Sequence, residues 1–206
     1  MLAFMLDKQG MLLTLVVGLV ILFASDVRYI EMILVFFAAA LIVTKYEYNA
    51  KRNLGLYEHE RSWENVLSNG LAPMLLAIAS PFVGFVPYLS AIAAITADKF
   101  ASEIGVLGGT ATSLENFKPA KTGQSGAISV LGTLASLAGG TLIGVSAVFI
   151  FNITPTNALL VGILGAIGSL IDSIFGVWEE KGIGNKSTTN FICSISGAIL
   201  GYLLLR

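Results

Sequence analysis

The sequence predicts an all-α integral membrane protein, a compact bundle of six to seven transmembrane helices, and three observations carry that expectation. Of the 206 residues, 55% are hydrophobic and only 12% are charged, about half the charge of an ordinary soluble domain. Mean hydropathy is +0.83. Long apolar stretches recur from end to end and leave no room for a separate soluble domain, so 1–206 reads as one transmembrane domain. Within it, 1–65 holds amino-terminal spans and an interfacial segment, and 66–206 holds the bundle with the polar motifs. A formal net charge of -1 gives no basic excess for nucleic acid. One cysteine, Cys193, and one histidine, His59, exclude a disulfide framework, a Cys/His zinc site and a Ser-His-Asp triad.

A transmembrane helix needs about 20 mainly apolar residues. The stretches that approach this are 11–24, 29–44, 66–85, 88–107, 128–151, 158–178 and 191–205. The first would rise only about 21 Å as a helix, so it tilts, begins nearer Leu2 or stops short of crossing. A cleaved signal peptide is disfavoured, because Asp7 and Lys8 sit at its start and more spans follow. Pro73, Pro81 and Pro87 interrupt the third span and its junction with the fourth, which leaves a kinked or re-entrant stretch open beside a simple hairpin.

Under the seven-span scheme, Lys8, Lys45, Lys51, Arg52, Arg61, Lys118, Lys121, Lys181 and Lys186 fall on one side, and Arg28 and Arg206 on the other. Positive charge marks the inner face. The amino terminus and the connections at 45–65, 108–127 and 179–188 are therefore expected in the cytoplasm, beneath the cytoplasmic membrane. The 45–64 segment (KYEYNAKRNLGLYEHERSWE) mixes both signs with tyrosine and tryptophan. It reads as an interfacial helix with His59 exposed, with participation in a headgroup or substrate site as the other reading. Gly132, Ser136, Gly140 and Gly144, then Gly165, Ser169 and Ser173, then Gly197 and Gly201, recur every four residues. Small residues at this spacing let helices approach closely in lipid, and a homo-oligomer is compatible with them.

Ionisable groups inside a span are costly and mark function by default. Here they are Asp98, Lys99 and Glu103 in the fourth span and Asp172 in the sixth. Lys99 and Glu103, four apart, can neutralise one another. Asp98 lies about 140° of helical rotation from Glu103, and Asp172 has no basic residue within a helical turn. Counting rise per residue places Asp172 roughly 9 Å and Asp98 roughly 13 Å from the inner ends of their spans. Acids from two spans in the cytoplasmic half suit magnesium, a hard cation shared between carboxylates and substrate phosphates; a proton or sodium path would use the same residues. The 108–127 loop (GGTATSLENFKPAKTGQSGA) leads from the acidic helix into the fifth span. Its glycines offer backbone N–H groups and a helix amino terminus to an anion, and Lys118 and Lys121 add point charges suited to phosphate.

At residues 97–105 (ADKFASEIG), 121–129 (KTGQSGAIS) and 168–173 (GSLIDS), with Asn185 and Asn190, the chain resembles the phytyl-phosphate kinase family of the vitamin E pathway. The likeness runs from about Arg61 to the carboxyl end, and a looser one extends to dolichol kinase and the CDP-diacylglycerol synthases. This chain departs from it at Lys99, where plant members carry threonine, and at Ala127, where glycine is usual. The resemblance implies phosphoryl transfer from a nucleotide, with CTP the expected donor, to an isoprenoid monophosphate. It implies Asp98, Ser102 and Glu103 as an acidic motif, Lys121, Thr122, Gly123, Ser125 and Gly126 as a phosphate loop, and Asp172 and Ser173 as a third motif. The resulting expectation has Asp98, Glu103 and Asp172 holding Mg2+ on the nucleotide. Lys118, Lys121 and the 122–126 backbone neutralise transferred charge, with Ser102, Ser173, Asn185 and Asn190 in support. A cation-coupled transporter using the buried acids and a lipid-phosphate cytidylyltransferase are the competing readings.

Overall fold

The computed structural model describes residues 7–56 and 63–205; His59 lies outside them. Apolar runs of the predicted spacing become helices α1 (Lys8–Ala24), α2 (Val27–Lys45), α3 (Tyr48–Asn53), α4 (Trp63–Val83), α5 (Val86–Gly105), α6 (Val130–Phe151), α7 (Pro155–Glu180) and α8 (Lys186–Leu204). Caps explain several starts. The side chains of Asp7, Asp26, Ser129, Thr154 and Asn185 each accept a bond from a backbone N–H of the turn they precede. Among the described residues five helices, α2, α4, α6, α7 and α8, are long and apolar enough to cross a membrane, and α1 is a shorter apolar helix. Pro73 and Pro81 lie inside α4, which continues to Val83. A turn at Gly84 (φ 75°) leads into α5, with Pro87 in its first turn. The stretch is thus a helical hairpin, with both prolines of α4 accommodated inside a continuous helix.

Helix α5 is the axis of the bundle and packs against α2, α4, α6, α7 and α8. Every residue from Pro87 to Ala97 is buried, as expected of a helix surrounded by others. Its ionisable residues, Asp98, Lys99 and Glu103, follow directly on this buried run and are half-buried. Tyr88 illustrates the rule for buried polar atoms: its hydroxyl donates to the Tyr29 carbonyl at 2.7 Å.

The small-residue stripes form the predicted close contacts. A Cβ on Gly140 would stand 2.3 Å from the Gly162 carbonyl oxygen, and one on Gly144 would stand 2.1 Å from that of Ala158. These contacts zip α6 to α7 at the end of the bundle where the short 24–27, 83–86 and 151–155 connections lie, hereafter the hairpin end. Gly144→Ala should therefore cost about 3 kcal/mol through overpacking, read as a lower thermal midpoint in detergent. Gly18→Ala, with nothing within 4 Å of its Cβ, should leave the midpoint unchanged or raise it.

The opposite, loop end carries a small antiparallel sheet. Strands β1 (Ala111–Ser113), β2 (Pro119–Ala120) and β3 (Ala127–Ile128) pair in the order β2-β1-β3, with Thr112 opposite both Pro119 and Ile128. This ribbon stands where the sequence suggested a simple glycine-rich turn.

Candidate functional site

At the loop end the helices enclose a cavity of about 780 Å³, lined by parts of α1 to α8 and by residues 122–129 of the loop. Two charged clusters line it.

The first joins α5, α7 and α8. Asp172 is buried on α7, and Lys186, the first residue of α8, donates from Nζ to Asp172 Oδ2 at 3.1 Å. Asp98 of α5 lines the same cavity and lies close enough to Lys186 and Asp172 for their charges to interact. The second oxygen of Asp172, Oδ1, and the Oδ1 of buried Asn190 are enclosed with no hydrogen-bond partner among the described residues. Both residues line the cavity. Such orphaned oxygens are costly in a folded protein, and these two are available to a ligand in the cavity.

The second cluster is centred on Glu103. Its Oε2 accepts from Lys51 Nζ at 2.8 Å, and its Oε1 accepts from Thr44 Oγ1 at 3.0 Å and from Lys99 Nζ. Lys51 is 1% exposed and also donates to the carbonyls of Val43 and Thr44, each at 2.8 Å. Its three ammonium protons thus meet three acceptors. Two of these are carbonyls of the last turn of α2, where a cation is also favoured by the helix dipole.

Glu103 therefore does not join Asp98 and Asp172. The rotation of about 140° that separates it from Asp98 turns it towards α2 and α3, where two lysines neutralise it. Among the described residues no group of three or more His, Cys, Asp or Glu is arranged to hold a metal, so the three-carboxylate set expected from the sequence is not assembled. What converges is the pair Asp98 and Asp172, with the Asn190 oxygen lining the same cavity. This hard-oxygen set fits magnesium, which takes few protein ligands and completes its shell with water and substrate phosphate.

The loop also differs from expectation. Lys118 and Lys121 are exposed and do not line the cavity. Ser125 is tied to the end of α7: its N–H donates to Glu180 Oε1 at 2.9 Å and its hydroxyl to Glu179 Oε1 at 3.1 Å. At the start of α6, Ser129 Oγ already accepts from the Gly132 N–H at 3.0 Å, so that helix terminus is partly capped by the protein itself. Thr122 and Gly123 line the cavity, as does Gly126. Gly126 needs to be glycine: its φ is +72° and a Cβ would lie 2.6 Å from the Val177 nitrogen. Ser102 and Ser173 line the cavity, the Ser173 hydroxyl donating to the Ser169 carbonyl at 3.3 Å. Asn185 is the N-cap of α8, accepting from the Thr188 N–H at 3.0 Å, and does not line the cavity.

Sequence reasoning missed Lys186, Lys51, Glu179 and Glu180. Lys186 was placed in a loop because the run KSTTN is polar, yet Asn185 is a good N-cap. Starting the helix there puts Lys186 and Asn190 one turn apart on one face. Lys51 had no such signal, since its partner is 52 residues away.

Comparison with known proteins agrees with this architecture at the level of family. The chain is 36% identical to an uncharacterised membrane protein of Methanocaldococcus jannaschii, over 97% of this chain and 85% of that one. It is 30% identical to Protein PGR of Arabidopsis thaliana, over 87% of this chain and 71% of the plant protein. No solved structure matches. The family model described as integral membrane protein DUF92 matches residues 2–198, well beyond the stretch from Arg61 that carried the motif resemblance. The chain belongs to the DUF92 family of integral membrane proteins.

Proposed function

We propose that the protein is a membrane-embedded kinase that transfers a phosphoryl group from a nucleoside triphosphate, CTP in the first instance, to an isoprenoid monophosphate. In this reading α1 and α5 cross the membrane with the other five long helices, and the loop end faces the cytoplasm, where nucleotides are. The observation that carries it is the meeting of Asp98 and Asp172, from separate helices, with an orphaned Asn190 oxygen in one cavity.

The cavity has the polarity such a substrate needs. Its loop end is lined by ionisable side chains and by residues 122–129, and it extends along α2 past Phe37, Ile33 and Ile30. From Thr44 to Ile30 is about 21 Å of helix, long enough for several isoprene units. A second apolar wall comes from Leu137 of α6 and from Ile163, Ile167 and Leu170 of α7, below the seam where those helices are zipped together. The tail lies against these walls and the phosphate sits among the charged groups.

The reaction asks little covalent chemistry of the protein. An oxygen of the acceptor phosphate attacks the γ-phosphorus, the bond to the β,γ-bridging oxygen breaks, and a nucleoside diphosphate leaves. A phosphate monoester has a second pKa near 6 and is already an anionic nucleophile, so no histidine base is required. Positioning and charge neutralisation carry the rate. Magnesium held by Asp98 and Asp172 would supply neutralisation of the nucleotide phosphates. Asn190 and Thr122 to Ser125 shape the phosphate end, while Lys51, Lys99 and Glu103 hold its wall in place.

Purified protein incubated with magnesium, CTP or ATP, and geranylgeranyl or phytyl phosphate should yield the nucleoside diphosphate and the prenyl diphosphate. No product with any acceptor would overturn the reading. Release of pyrophosphate instead would identify a cytidylyltransferase, and nucleotide-independent cation uptake into proteoliposomes a transporter.

A further inference from the structure

We propose that Lys186 is the resident counter-ion of the Asp98 and Asp172 pair, that a divalent cation displaces it, and that the displaced ammonium then binds the nucleotide phosphates. The nucleotide part rests on the phosphoryl-transfer reading above; the displacement does not.

The argument begins with a contrast between two lysines that line the same cavity. Lys51 is fixed, with its side chain 2% exposed and every ammonium proton accepted. Lys186 makes one hydrogen bond, to Asp172 Oδ2, and its side chain is 48% exposed. It follows a glycine-bearing turn in which Gly182 and Gly184 have positive φ, and it stands at the open start of α8. Its charge is needed where it is, since two carboxyls from lipid-embedded helices face each other there and an unneutralised pair is costly. Its geometry is incomplete, because Asp172 Oδ1 and Asn190 Oδ1 remain without a donor. A lysine ammonium has three protons and one position, and it leaves both oxygens unserved. A divalent cation takes several oxygens at once and carries twice the charge. Both cations cannot occupy the space between the carboxylates, so the arrival of one repels the other. Released, Lys186 keeps its flexible four-carbon stem in the cavity and offers its charge to phosphate oxygens. Glu179, the other acid near Lys186, accepts from the hydroxyls of Ser125 and Thr189 and makes no hydrogen bond to the Lys186 ammonium among those of the described residues.

The test uses full-length protein in detergent with manganese(II) alone as the metal probe, followed by electron paramagnetic resonance, and CTP binding by equilibrium dialysis with magnesium present. Lys186→Met should bind manganese about tenfold tighter than wild type, because a competing charge is gone, and should bind CTP about tenfold more weakly. Lys186→Arg should stay near wild type in both, and Asp172→Asn should lose manganese. Lys186→Gln replaces the methionine variant if the latter does not fold. Manganese affinity that is unchanged or lower in Lys186→Met would overturn the proposal and leave Lys186 a structural partner of Asp172. Tighter metal binding with unaltered CTP binding would overturn its phosphate half. Absence of manganese binding in wild type would remove the metal site itself. Tighter metal binding in a protein that makes no prenyl diphosphate would defeat the kinase reading and retain the exchange.

Discussion

Asp172→Asn should lower the rate of prenyl diphosphate formation by about two to three orders of magnitude, the size of effect seen when one preorganised charge-stabilising group is lost. The substitution keeps the shape of a buried side chain and removes only its charge. Lys186 still has Asp98 to neutralise, so the thermal midpoint should hold or rise while activity falls. Asp98→Asn should behave alike, and the double variant should be scarcely worse than either, because the two oxygens act on one ion and not independently. Steady-state rates with CTP and geranylgeranyl phosphate, set beside melting curves in the same detergent, measure both quantities. Activity within about twofold of wild type in either single variant would end the claim that these acids serve the reaction.

A large loss of stability is expected at Lys51→Met. Removing one partner from a buried ion pair typically costs about 3–5 kcal/mol, and here the same ammonium also satisfies the Val43 and Thr44 carbonyls. Glu103 retains Lys99 and Thr44, which places the expected cost near 3 kcal/mol, the lower end of that range. Helix α3 has only six residues and cannot hold itself together in water, so loss of this anchor should also expose the 48–53 backbone to hydrogen exchange. Lys99→Met should cost less, since Glu103 then keeps Lys51 and Thr44. Equal melting of wild type and Lys51→Met would show that the cluster contributes nothing to the fold.

These two sites differ in how visible they were beforehand. The pairing of Asp98 with Asp172 was legible: both sit at similar depth in long apolar runs without a local counter-charge, and acids at membrane depth turn inward. Helix α5 was legible for the same reason, although its three ionisable residues make it less apolar than a lipid-facing span. Glu103 shows the limit. Its rotation away from Asp98 could be counted, but its destination depended on a lysine 52 positions earlier, and tertiary partners at that distance leave no mark in periodicity. The start of α8 was hidden by a polar first turn, and with it the role of Lys186. The loop was misjudged because two- and three-residue strands carry no period, and because the donors of Ser125 were assigned to a ligand although Glu179 and Glu180 take them. A glycine- and lysine-bearing motif signals that backbone comes close to something. Here the something includes the protein's own helix end, at Gly126 against Val177.

The glycine seam between α6 and α7 bears on the direction of traffic. Backbone contact at Gly140 with Gly162 and at Gly144 with Ala158 shuts the bundle at one end, whereas the cavity opens towards the other. In the proposed kinase reading, a lipid acceptor would enter and its product would leave through the loop end.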